Sequence, residues 1–267
     1  KPLSSLALAL SDILVVPAAG GKIGGKGQVE IALGSENSRS GLVFDLQAEN
    51  IPGDAITQIY NLPIPATVKI GNVSANAQVF GPLDNIQARA KWQAPQGNFP
   101  ASGQLRADRN SVDLPNTIVK VGDGSVNVNA ALNNRQWEAL IESDRVAVSS
   151  LQQIIPGLVL PPELAGSFSG NVEAAGTLDD LSLNVINASG KGLLNIADSI
   201  VNVNGELASG RWQAFGKTDK VALNQLIDIG LPFLALTNSS DSTAANLDNL
   251  KSKIQNLKSL NGQLAGQ

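Results

Sequence analysis

The sequence predicts a mostly β protein, long and repetitive, built of antiparallel meanders with one apolar and one polar face and with short helices interspersed. Three observations lead there. Apolar or small residues alternate with polar ones along most of the chain, and a period of two puts one class of side chain on each face of a strand. Clusters of Gly, Asn and Asp separate the alternating runs, so successive strands should be joined by hairpin turns. Aromatic residues make up only 4% of the chain, against 26 glycines, which leaves too few large side chains to fill a closed sandwich.

The pattern is clearest from Leu164 to Phe215. Leu164 to Glu173 alternates, Gly176-Thr177-Leu178-Asp179-Asp180 reads as a turn, and the runs Leu181 to Ala188, Leu193 to Ala197 and Ser199 to Leu207 follow. Trp212 to Phe215 opens another. Further strands are expected at Gln28 to Leu33, Gly41 to Ala48, Ala66 to Val79, Ile86 to Ala94, Gly103 to Ala107, Thr117 to Val121, Ser125 to Leu132 and Gln136 to Glu142. In Ala66 to Val79 the apolar phase changes at Gly71-Asn72, from Val68 and Ile70 to Val73, Ala75, Ala77 and Val79, as a bulge would cause.

Four helical segments are expected between the strands: Leu3 to Val16, Asp54 to Asn61, Ser149 to Ile155 and Val221 to Ile229. Each has apolar residues at i, i+3 and i+4. Each closes soon after on Pro17, Pro63, Pro156-Gly157 or Gly230-Leu231-Pro232, as helix ends do. A narrower helical stripe runs through Leu247, Leu250, Ile254 and Leu257 after a Ser/Asn/Thr-rich stretch from Thr237 to Ala244.

Segments repeat. Val146-Ala147-Val148 parallels Val221-Ala222-Leu223, Gly81-Pro82-Leu83-Asp84-Asn85 parallels Gly176-Thr177-Leu178-Asp179-Asp180, and Gly71-Asn72-Val73 parallels Gly170-Asn171-Val172. Leu260 to Gly266 copies the pattern of Leu164 to Gly170. This is an internal repeat with variable insertions, divided approximately into units 1–50, 51–145, 146–220 and 221–267. The last unit looks truncated, and the absence of Met at position 1 suggests a piece of a longer chain.

Composition excludes several function classes. With 19 basic and 23 acidic residues the net charge is -4, which gives no basic footprint for nucleic acid. There is no Cys and no His, so a thiolate metal site and the commonest general base are absent. Gly20 to Gly27 imitates a phosphate loop but lacks the Ser or Thr that should follow the Lys. Asp179-Asp180 and Asp84-Asn85 fit hairpin corners rather than calcium loops. No carboxylate pair or nucleophile–base set suggests catalysis. The expectation is a non-enzyme with no catalytic, metal or cofactor site. No stretch is long and apolar enough for a membrane helix, and Leu6 to Ala19 lacks the basic leader of a signal peptide.

The order of elements carries a resemblance. A Val-Ala-Leu-x-x-Leu helix, a Pro, Leu-x-Gly-x-Phe-x-Gly-x-Val, Gly-x-Leu-Asp-Asp and Asn-rich strands ending in Trp-x-Ala resemble the AsmA-like and TamB group of envelope bridge proteins, over nearly all of Leu8 to Phe233. The resemblance implies an elongated, curled antiparallel β-sheet, an open half-pipe or β-taco with an apolar inner wall, and a periplasmic location (intermembrane space if plastid). It implies an inner-membrane anchor elsewhere in the full-length protein and an Omp85-class outer-membrane partner. The implied work is phospholipid transport between membranes in support of outer-membrane biogenesis; the alternative is a structural scaffold or chaperone of an outer-membrane assembly or import machinery that carries no lipid.

On this reading phospholipid acyl chains slide along apolar faces lined by Val68, Ile70, Ile86, Ala88, Val126, Val128, Ala139, Ile141, Phe168, Val172, Leu181, Leu183, Val185, Val201, Val203 and Leu207. Each methylene taken from water gains about 0.8 kcal/mol. A dozen strands at about 4.8 Å spacing would span on the order of 60 Å. The aromatics Phe44, Trp92, Trp137 and Trp212 are expected mainly as packing beneath the helices.

Overall fold

The computed structural model describes residues 5–33, 40–59, 67–150, 153, 166–180, 185–196, 199–218, 221–222 and 263–264. Thirteen strands form one antiparallel sheet in strict chain order: β1 (Ser5–Val15), β2 (Lys22–Ala32), β3 (Gly41–Pro52), β4 (Asn72–Pro82), β5 (Gln87–Ala94), β6 (Ala101–Ala107), β7 (Ser111–Val121), β8 (Gly124–Asn133), β9 (Gln136–Ala147), β10 (Gly166–Thr177), β11 (Asn187–Ile196), β12 (Ser199–Ala208) and β13 (Arg211–Thr218). β1 and β13 do not pair with each other, so the curled sheet stays open rather than closing into a barrel. β14 (Val221–Ala222) and β15 (Gln263–Leu264) form a separate two-stranded ladder. The α-helix α1 (Gly53–Ile59) sits between β3 and β4, and a 3₁₀ turn, Val148–Ser150, follows β9.

Meander order follows from the connections. Asn134-Arg135 and Ser209-Gly210 both have positive φ at their two central residues, the tight-turn geometry whose twist matches that of the flanking strands. At Asp108 the carboxylate accepts N–H bonds from Asn110 and Ser111, both at 2.8 Å, which closes the β6–β7 turn.

Bulges recur in four of the odd-numbered strands, β1, β3, β7 and β9. The register slips between Leu10 and Ile13 in β1, Ala48 and Ile51 in β3, and Leu114 and Thr117 in β7, and around Arg145 where β9 meets β10. Asn50, Asn116 and Arg145 take positive φ at three of these. The side chains of neighbouring strands hold two of them: the Asn116 N–H donates to Asn129 Oδ1 at 2.9 Å and the Arg145 N–H to Ser169 Oγ at 2.8 Å. Such bulges add local twist and bend the strands that carry them, which gives the long sheet a means to curl. The buried apolar side chains Ala94, Val121, Val146, Val148, Ile196 and Val201 gather along the rim of the sheet at which the odd-numbered strands end.

Several expected elements differ. Leu3 to Val16 is not a helix; its described part is strand β1. Leu6-Ala7-Leu8-Ala9-Leu10 alternates, and the bulge at Ser11-Asp12 shifts the phase so that Ile13 falls where a helical spacing would also put it. The strand expected from Ala66 begins only at Asn72, because Gly71 turns the chain at φ 70°. The described parts of the runs Leu181 to Ala188 and Leu193 to Ala197 meet in one strand, β11, which starts at Asn187, and Val185 lies in a turn before it. Val221 and Ala222 open a strand instead of a helix. The ends of the second and third expected helices, the rest of the fourth, and the stripe from Leu247 lie outside the described residues.

Candidate functional site

The register joins the alternating runs into one apolar surface. Val128 pairs with Ile141, Ile141 with Val172, Val172 with Gly190, Gly190 with Gly205 and Gly205 with Ala214. Across the other half, Ala107 pairs with Ala88, Ala88 with Val79, Val79 with Phe44, Phe44 with Gly27 and Gly27 with Leu10. Directly paired residues in an antiparallel sheet point the same way. One face is therefore apolar or small from β1 to β13, and the other carries Lys, Arg, Glu, Asp, Asn and Gln.

Of the residues expected to line a groove, Ala88, Val126, Val128, Ala139, Ile141, Phe168, Val172, Val201, Val203 and Leu207 share this face. Val201 is buried at the rim, and Val128, Ile141, Val172, Val203 and Leu207 are half-buried. Val68 and Ile70 precede β4 instead, and Ile70 sits at the α1 junction, where its N–H donates to Asp54 Oδ1 at 3.0 Å. Ile86 and Val185 are exposed in turns. Leu181 and Leu183 lie outside the described residues. The face also includes Leu6, Leu8 and Leu10 of β1 and Val112, Leu114 and Val119 of β7, which the sequence reading left out although the same alternation marks them.

The aromatics lie down on this face. Phe44 sits directly opposite Gly27, Trp92 opposite Gly103 and Trp137 opposite Gly176. A Cβ added at Gly27 would meet only the Phe44 ring, and one at Gly176 would come within 2.9 Å of the Trp137 ring. Phe168 likewise covers Gly170 and Gly192. The rings fill the space that a neighbouring side chain would take, so the face stays low and even. Packing beneath helices, the role expected for them, is not what these glycine contacts describe.

Two concavities, of about 1260 and 670 Å³, lie on the opposite, polar face. A twisted sheet is saddle-shaped, so each face is concave along one diagonal. The larger one, reaching from β1 to β7, is internally satisfied in large part. Lys22 pairs with Glu49 at 2.8 Å, Gln78 donates to Asp45 at 2.8 Å, and Arg89 donates to Gln78 at 2.6 Å while lying 5.3 Å from the Phe80 ring centre.

Perturbed carboxyls belong to turns. Hydrogen bonds from the Asn110 and Ser111 N–H groups hold Asp108 below its usual range. Asp179 is lowered first by its hydrogen bond from Arg135, whose own pKa is raised in turn. That pair, with the Leu178 N–H donating to the Arg135 carbonyl at 2.8 Å, ties the β8–β9 hairpin to the turn after β10. Among the described residues no three His, Cys, Asp or Glu side chains cluster as metal ligands, and no helix is long and apolar enough to cross a membrane.

No family model, curated protein or solved structure matches the chain.

Proposed function

We propose that this chain is a section of a hydrophobic conduit for phospholipid, in an envelope bridge of the AsmA-like and TamB type, working between inner and outer membranes in the periplasm. The observation that carries this reading is the single apolar face running unbroken across thirteen strands, with no second large sheet packed on it among the described residues. A face of valine, leucine, alanine and glycine offers acyl chains a gain of about 0.8 kcal/mol per methylene. The hydroxyls on it, Thr117, Ser143 and Thr218, sit low on the sheet: Thr117 and Thr218 are buried, and Ser143 Oγ donates to the Gly170 carbonyl at 3.1 Å. Aromatic rings laid over glycines leave few ridges, so wells along the path are shallow. The headgroup stays at the rim, near water.

The test is lipid retention. Purified protein is extracted for lipid mass spectrometry, and the measurement is repeated on Val128→Asp and Val203→Asp after circular dichroism has verified their β content. Each charge, set into the middle of the face, should lower bound phospholipid several-fold. Retention unchanged in both folded variants would sink the conduit reading and favour a strut that docks an assembly factor without cargo.

A further inference from the structure

The apolar face has two rims, and they differ. At one, the even-numbered strands end and tight turns such as Asn134-Arg135 and Ser209-Gly210 lie. At the other, the odd-numbered strands end. The buried side chains Ala94, Val121, Val146, Val148, Ile196 and Val201, with Thr117 and Thr218, all lie in the half of the sheet nearer this second rim. Near the turn rim of the same face, Ala88, Val112, Leu132, Trp137 and Leu207 are only half-buried. Leu83, Ile86 and Leu178, in the connections at that rim, are exposed. β1, at the edge of the sheet, is exposed at both ends through Leu6 and Val15.

The connections account for the difference. At the buried rim they bond to one another. The Gly53 N–H donates to the Gly71 carbonyl at 2.8 Å, the Asn98 N–H to the Lys69 carbonyl at 3.0 Å and the Lys120 N–H to the Pro100 carbonyl at 2.8 Å. Thr67 Oγ1, just before β4, donates to the carbonyl of Gln153, after β9, at 2.5 Å. The two-residue turns at the other rim leave the ends of the face open to water. A charged headgroup set among the buried valines would lose its water, whereas methyl groups gain most where water is already excluded.

We propose that phospholipid lies along the strands in one direction, its ester end at the turn rim and its acyl methyl ends towards the buried rim. This orientation rests on the conduit reading above and adds a polarity to it. Two tryptophans on the face mark the two levels. Trp92 faces Gly103, Gly103 lies against Thr117, Thr117 pairs with Val128 and Val128 with Ile141. Trp137 stands beside the turn, four residues before Ile141 on β9, so the two levels differ by on the order of 13 Å. The level of Trp92 is about 17 Å from the turn rim at roughly 3.4 Å per residue, close to the ~15 Å of hydrocarbon in one leaflet of a bilayer.

The chain has 3 tryptophans, so Trp137→Phe with Trp212→Phe leaves Trp92 alone, and Trp92→Phe with Trp212→Phe leaves Trp137 alone. Each variant is loaded with phosphatidylcholine brominated either beside the ester or near the methyl end of one chain, and bound lipid is counted by mass spectrometry. Bromine quenches indole emission on contact. With the levels on the order of 13 Å apart, bromine near the ester should quench Trp137 at least about two-fold more than Trp92, and bromine near the methyl end should reverse the ranking. A second pair of probes guards against loss of fold in these variants. The chain has no cysteine, so fluorophores on Ala107→Cys and Ala101→Cys, apolar-face positions at the turn end and the far end of β6, read the same lipids and should rank in the same way. Bound lipid that quenches both levels alike, or in the opposite order, would overturn the orientation and leave the conduit standing. Absence of bound lipid would remove both.

Discussion

Asp54 illustrates how a single carboxylate fixes a junction in this fold. The chain leaves β3, turns into α1 and must return to start β4. Asp54 Oδ1 accepts the Ile70 N–H at 3.0 Å, Oδ2 accepts the Gly71 N–H at 3.2 Å, and Thr57 Oγ1 donates to the Asp54 carbonyl at 2.8 Å. The bond from Ile70 is the main reason the Asp54 carboxyl sits below its usual range; partial desolvation opposes it, and Gly71 and the charge of Lys69 add to it. A carboxyl lowered in the folded state contributes stability that is present above its unfolded pKa, about 3.9, and is lost as pH falls through the folded value. Asp54→Ala should therefore destabilise the protein by about 1 kcal/mol at pH 7, the low end for charged hydrogen bonds because the group is partly exposed and screened. Urea denaturation at pH 7 and at pH 3 checks this: the gap between wild type and variant should shrink at the lower pH, and an equal gap at both would refute the charge-based account.

Between elements, the pairing of an aromatic with a glycine across the ladder decides how the apolar face is built. All three atoms nearest to a Cβ added at Gly27 belong to the Phe44 ring. Gly27→Ala should consequently destabilise by about 1–3 kcal/mol through overpacking, despite the gain that Ala normally brings over Gly within a strand. In a Phe44→Ala background the ring is gone, and Gly27→Ala should be neutral or mildly stabilising. Chemical denaturation of the four proteins gives the coupling between the two sites; additive effects would show that the ring does not depend on the glycine. This pairing is also where the sequence stops being legible. Alternation located most of the strands, whereas the Val-Ala copies at Val146 and Val221, read as the openings of helices, lie in strands β9 and β14. Which glycine faces which ring depends on register, a relation between distant residues that no local window contains. β1 was misread for a local reason, since Ala and Leu are strong helix formers and its β-branched residues begin only at Ile13. On the candidate face, Ile86 and Val185 were placed by extending an alternation past the point where a turn ends it, and Val68 and Ile70 were placed in a strand that Gly71 delays.

At the level of the whole molecule, every pairing within the large sheet joins strands that are consecutive in the chain, so the architecture is nearly one-dimensional. Stability in such an array is a sum of strand terms and nearest-neighbour terms, and a local defect should stay local. Val128 sits in β8, between Thr117 of β7 and Ile141 of β9. A charge at that position is unpaired on an apolar face, so Val128→Asp should weaken the β7–β8 and β8–β9 ladders. Amide hydrogen exchange followed by mass spectrometry reads this strand by strand. Protection should fall in peptides from β7, β8 and β9 and remain at the wild-type level in β2, β3 and β4, which touch the altered strand only through the intervening ladders. A cooperative domain with one shared core would behave differently, losing protection everywhere by the same free energy. Uniform loss from β2 to β12 would mean that something beyond the meander couples the sheet along its length. Loss confined to the neighbours of β8 would also account for how repeats of unequal length can be tolerated, since a unit answers only to the strand on either side of it.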